Sequence, residues 1–95
     1  MVNTYFIDIG LKDINAEEAI LDLLGPPTDS GAGFGLIDMQ WYGIPEGSYA
    51  PSLLKAIQDA IPEASLAYVV YCQEGNNCVT PIIDYKSPWF IKEET

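Results

Sequence analysis

The apolar residues of this chain change period along its length, from two to about three and a half and back again, twice. A period of two marks a half-buried strand and the longer period an amphipathic helix, so the chain is confined to folds that mix both. Tyr5 to Leu11 alternates, with Tyr5, Ile7, Ile9 and Leu11 on one face and Phe6 and Asp8 on the other. Ala16, Ala19, Ile20, Leu23 and Leu24 then form a helical stripe. Asn15 is its expected N-cap, Glu18 completes a variant capping box, and Gly25-Pro26-Pro27 terminates it. Phe34 to Tyr42 returns to strand chemistry, with Ile37, Met39 and Trp41 on the predicted core side and Leu36, Asp38, Gln40 and Tyr42 opposite. A second stripe follows in Leu53, Leu54, Ile57, Ala60 and Ile61. Ser48 or Ala50 caps it, Pro51 falls in its first turn and Pro62 stops it.

Ser65 to Cys72 and Val79 to Tyr85 are rich in Val, Ile and Tyr and flank Gly75-Asn76, which predicts an antiparallel hairpin. Pairing Cys72 with Cys78 across it aligns Tyr68 with Ile82 and puts Asp84 on the Tyr68 face. Pro26 to Gly33 has no apolar periodicity and reads as an exposed connector. The apolar tail around Trp89, Phe90 and Ile91 is expected to lie on the sheet edge or form a short last strand. The element order is then β-α-β-α-β-β. The expected fold is α+β: a two-layer sandwich, loosely ferredoxin-like, in which helical crossovers join parallel neighbours of a mixed sheet and both helices cover one face. Ninety-five residues make one domain, spanning 1–95.

Charge restricts function more than fold. Fourteen Asp and Glu stand against four Lys, with no Arg and no His, for a net charge of −10. Such a surface serves solubility, and it also attracts basic partners. Lys12, Lys55, Lys86 and Lys92 are too scattered to neutralise a phosphate backbone, so direct nucleic-acid binding is not expected. Without His there is no ordinary general base near neutrality, and without Arg no bidentate clamp, so the chain is not expected to be an enzyme. Two cysteines without His do not complete a zinc site, and no EF-hand spacing occurs, so neither metal nor cofactor is expected. The glycines from Gly31 to Gly35 precede a strand rather than open a helix, and Asp29 lies beside them, unlike a phosphate-binding loop. No secretory leader pattern follows Met1 and no apolar run is long enough to span a bilayer, which makes the cytoplasm of a host cell the expected location.

The face of the sheet away from the helices is predicted to display Phe6, Asp8, Asp38, Gln40 and Tyr42, extended by Tyr68 and Asp84. These are the candidate partner-binding residues, with Trp41 as a further apolar anchor; Glu17, Glu18 and Asp22 on the first helix are secondary candidates. In size and charge over its whole length, the chain resembles small acidic phage or mobile-element anti-defence proteins, anti-CRISPR proteins among them, and immunity proteins that neutralise basic nuclease toxins. That resemblance implies an inhibitor or decoy that meets a basic nucleic-acid-binding protein, a nuclease or CRISPR effector, by nucleic-acid mimicry or steric blocking. The alternative is a regulatory or ligand-sensing module that forms a homodimer through the open sheet face or an edge strand.

Overall fold

A computed structural model describes residues 4–49, 51–75 and 81–90. Strand β1 (Thr4–Leu11) is central, and its Ile7, Ile9 and Leu11 are fully buried, as the alternation requires. Helix α1 (Glu17–Leu24) leads to β2 (Asp29–Gly33), which turns directly into β3 (Leu36–Pro45). Helix α2 (Ser52–Ala60) then leads to β4 (Leu66–Gln73) and β5 (Ile83–Lys86). The five strands lie in the order β2-β3-β1-β4-β5 and every neighbouring pair is antiparallel.

Two predictions fail here for one reason. The segment read as a connector contains β2, and the sheet is antiparallel rather than mixed. All five residues of β2 are exposed, so no buried face imposes an apolar alternation on its Asp-Ser-Gly-Ala-Gly sequence. Once β2 exists, the crossovers still join strands of the same direction, but another strand lies between them: β3 separates β1 from β2, and β1 separates β3 from β4. With β5 added outside β4, the order is not the standard ferredoxin-like one.

The first helix starts earlier and differently than predicted. Asp13, not Asn15, is the capping residue: its Oδ1 accepts the Asn15 backbone N–H at 3.0 Å and opens a 3₁₀ turn, Ile14–Ala16, that runs into α1. Gly25 ends α1 at φ 81°, a left-handed value that glycine tolerates. Ala16 and Ile20 are buried and Ala19, Leu21 and Leu24 pack on the core, whereas Leu23 is 39% exposed. The buried side of α1 therefore takes in Leu21 in place of the predicted Leu23. In α2 Leu53 and Ile57 are buried with Ile61 beyond it, Leu54 is half-buried, and Ala60 faces solvent. Pro51 sits at the N-cap position and no side chain caps the helix; Ala50 lies outside the described residues.

These helix residues join Ile7, Ile9, Met39, Trp41, Ile44, Val69, Tyr71 and Ile83 in one apolar cluster. The indole N–H of Trp41 donates to the Gly25 carbonyl at 3.2 Å, tying the end of α1 to β3, so Trp41 is a core residue and not a surface anchor. The buried Tyr71 ring makes edge contacts with Tyr5 and Tyr49 and places its hydroxyl against the Tyr49 carbonyl at 3.3 Å.

Strand β5 pairs with β4 in a different register from the one expected. Tyr68 lies opposite Lys86, and Asp84 lies opposite Val70; Ile82 is exposed. The observed register lies four residues from the expected one, an even shift that leaves Ile83 and Tyr85 on the core side and keeps Asp84 on the Tyr68 face as predicted. Cys72 is buried and disulfide-bonded, while Cys78 lies outside the described residues. The tail forms no strand up to Phe90: residues 88–90 are helical, the Trp89 indole donates to the Glu63 carbonyl at 3.1 Å, and Phe90 packs on Tyr68 with ring centroids 5.6 Å apart. Lys12 lies 4.7 Å over the Trp89 ring. Ile91 lies outside the described residues.

Candidate functional site

Because side chains alternate along a strand, burying Ile7, Ile9 and Leu11 against the helices turns Phe6, Asp8 and Gly10 to the other face. The pairing registers assemble that face into two rows that each cross all five strands. One row runs Asp29, Gln40, Asp8, Val70, Asp84. The next runs Gly31, Asp38, Gly10, Tyr68, Lys86. At the end of the face towards the start of β1, Phe6 and Tyr42 lie with ring centroids 6.0 Å apart.

Asp38 is the hub. Its Oδ1 accepts the Tyr68 hydroxyl at 2.5 Å and its Oδ2 accepts the Gln40 amide at 2.9 Å, while Gln40 Oε1 accepts the Tyr42 hydroxyl. The bond between Tyr68 on β4 and Asp38 on β3 spans the strand between them, and Gly10 makes the span possible. A Cβ at Gly10 would lie 2.2 Å from the Tyr68 ring, well inside van der Waals contact, so any side chain there would evict the ring.

Asp8 stands beside this hub in the other row. Burial, then its hydrogen bond to Asp38 and the charge of Asp38, push its carboxyl up from an ordinary 3.8 to about 8. At neutral pH it is therefore protonated, which suits an Oδ1 that is buried without a hydrogen-bond partner. Burial, the bond to Asp38 and the charges of Asp8 and Asp38 also raise the Tyr68 hydroxyl far above its usual range, so it remains a donor.

The seven leading candidates thus divide by role. Asp8, Asp38, Gln40, Tyr42 and Tyr68 form one connected network, with Phe6 against Tyr42. Asp84 shares a row with Asp8 but lies two strands away and exposed. Glu17, Glu18 and Asp22 lie on α1, which packs against the face holding Ile7 and Ile9, so they do not share a surface with the network. Glu18 and Asp22 are exposed and Glu17 is half-buried.

Two residues of this face were missed from sequence. Asp29 was assigned to a loop, yet pairing with Gln40 makes it the charged end of a row that reaches Asp84 about 19 Å away at ordinary strand spacing. Gly10 was passed over, although a glycine at an alternating position inside an otherwise regular strand is a recognisable mark of close approach. Lys86, at the end of the Tyr68 row, adds one positive charge to an otherwise acidic face.

None of the three described cavities is lined by Asp8, Asp38 or Tyr68. Among the described residues no group of three or more metal-binding side chains comes together, and no helix is long and apolar enough to cross a membrane. No family model matches the chain, and neither a curated protein nor a solved structure matches it.

Proposed function

We propose that this chain is a small acidic inhibitor that binds a basic nucleic-acid-binding protein, a nuclease or CRISPR effector, through the open face of its sheet. The observation that carries the reading is the two-row arrangement itself. Exposed carboxylates at Asp29 and Asp84 flank a central charge at Asp38, which Tyr68 and Gln40 hold in place, and Tyr42 and Phe6 supply aromatic surface beside them. Carboxylates spread over about 19 Å are suited to lysines and arginines that otherwise grip a phosphate backbone. Binding by nucleic-acid mimicry or by steric blocking needs no catalytic step. Asp8 has the raised pKa of an acid-base group, but the sequence offers neither His nor Arg to work with it.

The neutral Asp8 gives the contact a proton linkage. A cationic side chain brought to Asp38 favours ionisation of Asp8, so complex formation releases a proton and tightens as pH rises towards 8. We also read the architecture as a two-layer sandwich of loosely ferredoxin-like character, since the first six elements run β-α-β-β-α-β. The site of action belongs to the host cytoplasm in this reading, where the fold must hold even if the disulfide at Cys72 is reduced.

The test is capture of a basic nuclease or CRISPR effector at low and high salt by the native chain and by a variant with Asp29→Asn, Asp38→Asn and Asp84→Asn. Salt-sensitive binding that the triple variant loses is the expected result. Equal affinity of the two proteins would remove the open face from the reading.

A further inference from the structure

Strand β2 is an open edge. It pairs with β3 without a bulge, its five residues are exposed, and from Ser30 to Gly35 it offers neither charge nor proline to discourage a further strand. At its end Phe34 and Gly35 form a two-residue hairpin loop with φ 55° and 76°. That double-positive turn ordinarily takes Asn-Gly or Gly-Gly. A phenylalanine there is held in the left-handed region, where bulky side chains are strained, and it is fully exposed, so no packing among the described residues offsets the strain.

On the helix side of the same strand lies an open groove of about 310 Å³, lined by Ile14, Glu17, Pro27, Ala32, Ile37 and Met39 among others. It exists because Ser30 and Ala32, which pair with Met39 and Ile37, are too small to fill the space up to the 3₁₀ turn and α1. Ile14 hangs beside it, largely exposed.

We propose that a second copy of this chain occupies both features: two β2 strands pair antiparallel about a twofold axis, and each Phe34 enters the groove of the other copy. Pairing centred on Gly31 sets Phe34 opposite Thr28, next to Pro27 at the groove. Anchor and groove lie on one edge of one chain, which is the self-complementarity that a twofold interface requires. Charge selects this edge over the rest of the surface. Two chains of net −10 repel, and the uncharged stretch from Ser30 to Ile37 is a surface on which they can meet. In this register the two Asp29 residues are offset by about 13 Å along the strands, beyond the roughly 8 Å screening length of physiological salt. Two buried phenylalanines at about 150–250 Å² each, with two short strands, bring the interface to about 1,000 Å². That is the low end for specific association, so the dimer is micromolar and concentration-dependent. The interface is independent of the open-face partner proposed above.

Sedimentation of the full chain over a concentration series up to about 1 mM tests this. The native protein is expected to pass from monomer to dimer with a micromolar dissociation constant. Phe34→Asn creates the favoured Asn-Gly turn, so it should raise the melting temperature of the monomer while weakening dimerisation at least about tenfold. A merely structural role for Phe34 does not produce that opposite pair of effects. Gly31→Lys adds a side chain where a Cβ meets nothing within 4 Å, so the fold is kept, and it brings two like charges together at the axis, so the dimer should be lost. A native chain that stays monomeric throughout, or a dimer indifferent to both substitutions, overturns the proposal. A monomer that loses some other protein when Phe34 is replaced overturns it equally, by assigning the anchor to a different occupant.

Discussion

Tyr68 donates its phenolic hydrogen to Asp38 from two strands away, 2.5 Å across the backbone of β1. The bond organises the open face, because Asp38 is also the acceptor for Gln40 and the neighbour that adds to the effect of burial in raising the Asp8 carboxyl.

Gly10→Ala should therefore cost more than an ordinary strand substitution. The added methyl meets the Tyr68 ring at 2.2 Å and forces it off Asp38, so about 1–3 kcal/mol of overpacking is expected. Urea unfolding measures it. A double-mutant cycle with Tyr68→Ala should recover most of the loss; an additive cycle would mean that ring and glycine do not act together.

Carboxyl-carbon NMR should find Asp8 titrating near 8 in the native protein. In the Asp38→Asn variant the neighbouring charge is gone, so the Asp8 midpoint should fall. It should remain above the ordinary 3.8, because burial is the largest cause of the shift.

Stability should decrease as pH rises from about 4 to about 8. Asp8 binds its proton more tightly in the folded than in the unfolded chain, so its contribution is complete below the unfolded value of 3.8 and is lost as pH climbs through the folded value of about 8. Since the group is only half-buried, solvent screening limits the change to about 1–2 kcal/mol. Melting temperatures across this window report it, and Asp8→Asn, neutral at every pH, should flatten the Asp8 part of the slope.

Asp29→Asn and Asp84→Asn should leave stability within about 0.5 kcal/mol of native, since both residues are exposed. Any loss of partner binding by this pair, with an unchanged urea midpoint, therefore reports recognition rather than folding.

Much of the core was legible in the chain because burial on one side writes a period into the residues. Ile7, Ile9, Leu11, Met39, Trp41, Ile20, Leu53 and Ile57 all lie where alternation or helical spacing placed them. The same rule explains the errors. Strand β2 buries neither face, so Asp29 to Gly33 left no period to read, and missing it turned an antiparallel sheet into a mixed one. In α1 the helical spacing admits either Leu21 or Leu23 at the edge of the stripe, and only the packing against the sheet selects Leu21.

For the open face, the sequence by itself determined which residues alternate outward along each strand: Phe6 and Asp8 on β1, and Asp38, Gln40 and Tyr42 on β3. It could not determine which residues meet across strands, because pairing register depends on packing between segments far apart in the chain. Only the tertiary structure set Gly10 between Asp38 and Tyr68, ran Asp29 into line with Asp84, and brought Asp8 close enough to Asp38 to keep its proton. A carboxylate's charge belongs to its surroundings as much as to its residue type. Composition counts Asp8 among fourteen negative groups, and the folded chain holds it neutral because burial beside another carboxylate disfavours a second charge.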